Sequence, residues 1–263
     1  MSRDASREAM HRALRDGAGL DRADLVRLDR RLLLRRGITL SSAWLLAGCD
    51  ITNQAPVDQA LRAVSRFNDW VQAKLFDPNR LAPSFVDSEA VPMRNFRFNA
   101  QFPLDQIPVL DPAAWRLEVG GLVQEKRAWS LEELRALPQS GYVARHVCVE
   151  GWTMIGQWGG VSLRDFLARI GADPRARYIG FRCADPIDYT GSIDMASAMH
   201  SQTLLCITQS GEALEPRLGA PMRLRMTTKL GFKQPKWITA LWVTNDYPGG
   251  YWKDRGYNWF SGI

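Results

Sequence analysis

Apolar residues first fall into a regular pattern at Val57, Leu61, Val64, Phe67, Val71 and Leu75, with spacings of three and four. That interval is one face of an α-helix. Pro78 lies just past its end, where a helix is expected to have stopped. The stripe predicts a helix docked on the main body of the protein, in preference to an arm that packs on a membrane partner. From Leu81 the pattern shortens. Trp115, Leu117 and Val119 alternate before Gly120-Gly121, which reads as a strand and tight turn. Ser130-Leu131-Glu132-Glu133 has the form of a capping box and predicts a short helix ending at Pro138. Tyr142 to Val149 is strand-like, Ser162 opens a second helix, and Gly171 supplies its stop. Tyr178 to Phe181, Leu204 to Ile207, Met222 to Met226 and Trp237 to Val243 are further strand candidates. Strands and helices do not alternate strictly and no internal repeat is visible, so the class is α+β rather than doubly wound.

The chain has 263 residues, 46% of them hydrophobic, which suffices for a sizeable core. Its net charge of +6 could suggest an anionic polymer as partner. The excess is concentrated at the start: residues 1–48 hold 10 Lys/Arg against 6 Asp/Glu, the remainder 24 against 22. Without a basic run interleaved with aromatics, nucleic acid is not expected as a partner.

That basic start has the layout of an address. Arg30-Arg31 followed by Leu33, Leu34 and Arg35 resembles a twin-arginine export signal, and Gly37 to Ala47 is too short to span a bilayer. Leu46-Ala47-Gly48-Cys49 resembles a bacterial lipobox, whose cysteine is lipidated. The organisation expected is an export signal at 1–48, a linker and amphipathic helix at 49–84, and a catalytic domain at 85–263. The protein is then placed in the bacterial periplasm, anchored by a lipid on Cys49.

Four cysteines are present, Cys49, Cys148, Cys183 and Cys206, and none forms a Cys-x-x-Cys pair. That disfavours a structural zinc or thioredoxin-like site. The sharpest segment is Ala144-Arg145-His146-Val147-Cys148-Val149-Glu150-Gly151-Trp152. A cysteine ends a predicted strand, with Arg145 and His146 just before it. Nearby positive charge favours the thiolate, the form that binds metals or attacks electrophiles. Taken alone, the segment still reads as a buried structural cysteine ahead of either reactive role.

Four blocks in order alter that weighting. Arg145-His146-x-Cys148-x-Glu150-Gly151-Trp152, with Gly156 to Val161 after it, resembles the catalytic core of the sulfite oxidase family, which includes periplasmic methionine sulfoxide reductase catalytic subunits. Pro92 to Phe98 resembles that family's early Arg-Asn pterin loop, and Trp115 to Val123 the strand that follows. Gly219 to Leu224 with Lys229 to Trp237 resembles the late pterin-phosphate loop. The resemblance covers roughly residues 85–263. It implies a sulfite-oxidase-type domain of mixed sheets with short helices, and a molybdenum–molybdopterin cofactor with one molybdenum per chain, bound through Cys148. Arg94 would face the substrate. Asn95, Arg97, Cys183, His200, Arg223, Lys233, Gln234 and Lys236 would contact the cofactor, with Arg223, Lys233 and Lys236 supplying charge to its phosphate; Cys183 reads equally as a small core residue, and His200 equally as a helix-end or core histidine. Leu218 departs from a polar contact in one branch and leaves only its backbone, and Phe96 stands where the sulfite-oxidising branch has histidine. Cys206 reads as core.

The implied reaction is two-electron oxygen-atom transfer on a small sulfur–oxygen substrate. The sequence carries no Cys-x-x-Cys-His, so electrons would be exchanged with a cytochrome or membrane haem protein. The family's C-terminal dimerisation domain is not expected here, which implies a monomer. Two readings from other classes stay open: a non-catalytic periplasmic lipoprotein scaffold binding a pterin or a partner, and a thiol enzyme using Cys148 with His146.

Overall fold

The computed structural model describes residues 55–98 and 102–263. The export signal and Cys49 lie outside them. The chain divides into two units, Met1–Leu61 and Arg62–Ile263; of the first, the described part is residues 55–61, the opening of helix α1 (Ala55–Leu75).

Two five-stranded sheets form the second unit. Sheet one contains β1 (Arg116–Gly121), β2 (Ala128–Ser130), β5 (Tyr178–Cys183), β6 (Thr190–Asp194) and β10 (Ile238–Thr244), in the order β2-β1-β10-β5-β6. Only its β1–β10 pair is parallel. Sheet two contains β3 (Gln139–Val147), β4 (Thr153–Ser162), β7 (Thr203–Gln209), β8 (Glu212–Ala213) and β9 (Arg223–Met226), with β3-β4-β7 in sequence and β8 and β9 both on β7. Short helices α2 (Leu131–Ala136), α3 (Leu163–Arg169), α4 (Met195–Ala198) and α5 (Tyr251–Asp254) connect and flank them. The mixed-sheet α+β reading therefore holds.

The main core lies where the inner faces of both sheets meet α2 and α3. Leu117 and Val119 of β1 join Leu241 and Val243 of β10, Val161 of β4, Leu205 and Ile207 of β7, and Phe166 of α3. The alternation read at Trp115, Leu117 and Val119 is the period-two burial of a half-buried strand. β7 is different. Its run Leu204-Leu205-Cys206-Ile207 is buried on both faces, because Leu204 and Cys206 turn into a second cluster with Met93, Phe96, Trp158 and Leu218. A continuous apolar run is the signature of a strand covered on both sides. The second cluster seats the 92–98 loop on the back of sheet two through Phe96, whose ring meets Trp158 edge-on at 5.2 Å.

Both halves of the predicted capping box form: Ser130 accepts from the Glu133 amide, and the Glu133 carboxylate accepts from the Ser130 amide. Three expectations need correction. The strand expected to reach Val149 ends at Val147, since Cys148 enters a tight loop. β4 and β6 lacked a strand-like pattern, because glycines interrupt the first and polar residues the second. Helix α1 does dock, but by its polar side. Asp69 accepts from the Phe260 amide at 2.6 Å, Gln72 accepts from the Gly262 amide at 2.9 Å, and Lys253 pairs with Asp69 at 3.4 Å. Its apolar stripe faces outward.

The β4 glycines have a steric cause. A Cβ on Gly160 would lie 2.1 Å from the Leu205 carbonyl oxygen, so β4 and β7 approach this closely only without a side chain there. Gly160→Ala is expected to cost on the order of 2–4 kcal/mol. A lowered denaturant midpoint checks this; an unchanged midpoint would mean that the strands separate freely at that point.

Candidate cofactor site

Strands β3 and β4 form a hairpin that ends at the Val147–Thr153 pair, and Cys148 to Trp152 make its loop. The Cys148 amide donates to the Trp152 carbonyl at 2.9 Å, and the Gly151 amide returns to the Cys148 carbonyl at 3.2 Å. The Trp152 indole donates to the Glu150 carboxylate at 2.8 Å. This loop holds Cys148 only 3% exposed, under a thin cover rather than deep in the core. Burial is the main influence on the thiol and pushes its pKa up. The Glu150 carboxylate adds to the rise, and the Val149 and Glu150 amides oppose it.

The basic residues expected to activate this thiol do not do so. Arg145 is exposed, its guanidinium over the Phe85 ring at 5.5 Å. His146 is buried among Phe96, Trp152 and Trp158. Burial, then the charges of Arg225, Arg223 and Lys236, hold its imidazole neutral well below the usual range. Its Nδ1 has no hydrogen-bond partner, and its Nε2 side packs against Gly231. The thiol–histidine enzyme reading loses its geometric support.

Beside the loop lies a cavity of about 270 Å³, lined by Val149, Glu150, Arg223, Gly231, Gln234 and Lys236. Phe102, Phe232, Trp237, Trp252 and Tyr257 complete its wall. Two cations are concentrated here. Arg223 is buried, donates through Nη1 to the Leu218 carbonyl at 3.0 Å, and leaves Nε with no partner. Burial lowers its pKa to about 10. Lys236 opens partly to the cavity and is enclosed elsewhere; burial, then Arg223, lowers its pKa to about 7. Its Nζ lies 4.5 Å from the Phe98 ring centre and 4.6 Å from that of Trp237. Trp237 holds a left-handed backbone (φ 54°), fixed by its indole donating to the Pro216 carbonyl at 2.7 Å. The nearby acid, Asp185, is itself raised by burial and is engaged by the Ile187 and Tyr189 amides. Two buried cations and an orphaned guanidinium donor beside an open volume form a site for an anion.

Two arginines absent from the sequence reading, Arg225 and Arg217, tie together the elements around this wall, and Gly231 of the late loop closes it. Arg225 is fully buried. It donates to Gln234 Oε1 at 2.7 Å and to the Arg145 carbonyl at 2.8 Å, tying β3 to the Gly231 loop just ahead of Cys148. Arg217 donates to the Met93 and Phe96 carbonyls, both at 2.6 Å, and so fixes the early loop. Gly231 packs onto β3 so closely that a Cβ would stand 2.7 Å from His146 Nε2. Arginine in a strand pattern reads as a solvated face, so sequence offers no sign of Arg225's role.

Of the residues singled out in the sequence, Arg223, Gln234 and Lys236 line the cavity. The Gln234 amide is already committed to Arg225, Met226 and Lys229, so it shapes the wall. Cys183 is buried in the main core, its thiol raised well above the usual range by burial and felt by Lys236. Two expected contacts are corrected. His200 is fully buried, Nδ1 accepting from the Gln202 amide and Nε2 donating to the Arg80 carbonyl, each at 3.1 Å, so both ring nitrogens are used structurally. Lys233 points away: Nζ donates to the Ser192 carbonyl at 2.7 Å, because the 3₁₀ turn Gly231–Lys233 ends there and separates its direction from that of Lys236. Arg94, Asn95 and Arg97 are exposed and do not line the cavity. Arg97 stands at its edge, its guanidinium 5.6 Å from the Trp152 ring centre. Leu218 contributes its carbonyl to Arg223, as its apolar side chain requires. Cys206 is core.

The family model for the oxidoreductase molybdopterin binding domain matches residues 104–252, which hold the Cys148 loop, Arg223 and Lys236. The chain belongs to the molybdopterin-binding oxidoreductases. A putative protein-methionine-sulfoxide reductase subunit YedZ1 of Azospira oryzae is 55% identical to this oxidoreductase over 89% of the chain and 87% of the relative. The protein-methionine-sulfoxide reductase catalytic subunit MsrP of Xanthomonas axonopodis pv. citri is 28% identical over 89% of the chain and 77% of the relative. Among solved structures, the sulfane dehydrogenase SoxCD of Paracoccus pantotrophus superposes with a TM-score of 0.50 at 23% identity, over 53% of this chain and 40% of that one. That last likeness shows the fold: a sulfite-oxidase-type domain.

The Lys236 shift has a measurable consequence. The unfolded chain binds this proton below about pH 10.5, the folded chain with the cavity free of anion only below about 7. Stability of cofactor-free protein from this group is therefore complete above the higher value, falls as pH drops toward the lower, and is flat beneath it. A bound anion restores the proton. Sulfate, whose charge is constant over the range, is expected to raise the thermal midpoint of cofactor-free protein more near pH 6 than near pH 8.5. Lys236→Met should erase that difference; a difference that survives it would place the anion elsewhere.

Proposed function

We propose that this molybdopterin oxidoreductase is the catalytic subunit of a methionine-sulfoxide-type reductase, exported to the bacterial periplasm and held there by a lipid on Cys49. The observation that carries the reading is the Cys148 loop, whose Val149 and Glu150 line a cavity that also takes in the cations Arg223 and Lys236, with the Cys148 thiol close enough to act on the Lys236 charge. Among the described residues no cluster of three or more His, Cys, Asp or Glu could hold a metal ion. A metal at Cys148 would therefore take its other ligands from a chelating group, which the cavity is built to receive. Arg223 and Lys236 would meet the phosphate end of the pterin, Arg223 through its orphaned Nε and Lys236 as a point charge. Cys148 would hold the molybdenum as thiolate. When bound, the group supplies two-electron oxygen-atom transfer.

The chain's own residues do the rest. The Val149 and Glu150 amides oppose the cost of charge on the Cys148 sulfur. The His146 ring, kept neutral, fills the space beneath Trp152 and fixes the loop without adding charge there. Phe102, Phe232, Trp252 and Tyr257 give an apolar wall that excludes water and suits a neutral thioether or sulfoxide better than a small oxyanion. Arg94, the residue that would favour an anion, lies outside that wall. The net reaction consumes one sulfoxide, two electrons and two protons and yields one thioether and one water. The electrons come from outside the chain, and a cytochrome or membrane haem protein is the proposed donor.

The reading is tested with purified holoenzyme and a dye donor against methionine sulfoxide, other S-oxides and, with a dye acceptor, sulfite. Sulfoxide reduction is expected to dominate. Cys148→Ser should keep the circular-dichroism spectrum and lose activity by at least roughly a hundredfold. Full turnover in that variant, or sulfite oxidation as the dominant activity, contradicts the proposal.

A further inference from the structure

Helix α1 turns the wrong way for a helix that only completes a core. Its polar residues Ser65, Asp69 and Gln72 face the protein and carry its hydrogen bonds to the segment from Lys253 to Gly262. Its apolar residues are in the open: Val64 is 56% exposed, Phe67 61%, Trp70 59% and Leu75 79%. The Phe67 and Trp70 rings stack at 6.0 Å, giving one aromatic surface. An apolar stripe of this size on the outside marks an interaction site.

Two features indicate the occupant. Of the helix's charged residues, Asp69 is half-buried and held by Lys253 and the Phe260 amide, while Arg66 and Lys74 are exposed and basic. An exposed apolar face with tryptophan and a basic margin is the make-up of an interfacial helix. The helix also begins at Ala55, six residues past Cys49, the position that resembles a lipidation site. Six residues reach about 21 Å at most, so a lipid on Cys49 would keep the start of α1 near the headgroups.

We infer that the outward face of α1 lies in the interface of an anionic phospholipid bilayer. Asp69 and Gln72 fix the helix on the protein while Phe67 and Trp70 enter the acyl boundary, and Arg66 and Lys74 meet lipid phosphates. The segment gripping α1 also lines the cofactor cavity through Trp252 and Tyr257. Seating the helix therefore fixes how far the cavity stands from the membrane. This inference does not depend on which substrate is reduced.

The test places an environment-sensitive fluorophore at Phe67→Cys in the full chain carrying Cys49→Ser; the other three cysteines are buried. The label should shift to the blue on phosphatidylethanolamine–phosphatidylglycerol vesicles and be quenched by brominated acyl chains. Trp70→Glu should raise the half-saturating vesicle concentration about tenfold or more, and Arg66→Glu should raise it on anionic vesicles while leaving neutral ones unchanged. Both positions are exposed, so neither change disturbs the core. A label that stays in water on vesicles overturns the inference. So does burial of the label on self-association alone, or only when a membrane protein is present in the vesicles.

Discussion

Two enclosed cations beside one cavity are the constraint around which this end of the protein is arranged. Burial disfavours the charge on both Arg223 and Lys236; Arg225 adds to the cost at Arg223, and Arg223 adds to it at Lys236, where Asp185 opposes it. A fold built for stability alone would replace them with apolar residues. Here the surrounding elements instead hold them in place: Arg223 by the Leu218 carbonyl, Lys236 by aromatic rings and the left-handed Trp237 backbone. An anion in the cavity would offset that desolvation, which is the basis of the proposed phosphate contact.

The same arrangement explains why Cys148 stands where it does. The β3–β4 hairpin sets it in the loop whose next two residues line the cavity, and Arg225 ties β3 to the Gly231 loop. His146 contributes bulk rather than charge, because burial, and then the cations around it, keep its imidazole neutral. A thiol raised by burial is a poor nucleophile. In the proposed function it would serve as a metal ligand instead.

Much of the fold was legible along the chain, because it follows from local rules. The capping box at Ser130, the alternation at Trp115, Leu117 and Val119, and the doubly buried run at Leu204 to Ile207 each carry their own signal. What escaped were positions decided by distant contacts. β4 is a strand because its glycines admit β7, and Arg225 matters because it reaches Gln234 and Arg145 across the sheet. Lys233 and Lys236 look equivalent in sequence, yet one turn of 3₁₀ helix sends them to opposite sides. His200 reads equally as a cofactor contact and as a core histidine until both its nitrogens are seen to be spent on backbone. Resemblance pointed to the region; tertiary geometry shows which of its residues face the cavity.

X-ray absorption at the molybdenum edge, comparing wild-type protein with Cys148→Ser, tests the central claim most directly. The account requires one sulfur neighbour fewer around the metal in the variant, with the two pterin sulfurs retained. An unchanged sulfur count, or wild-type protein in which no molybdenum accompanies the pterin, would contradict it.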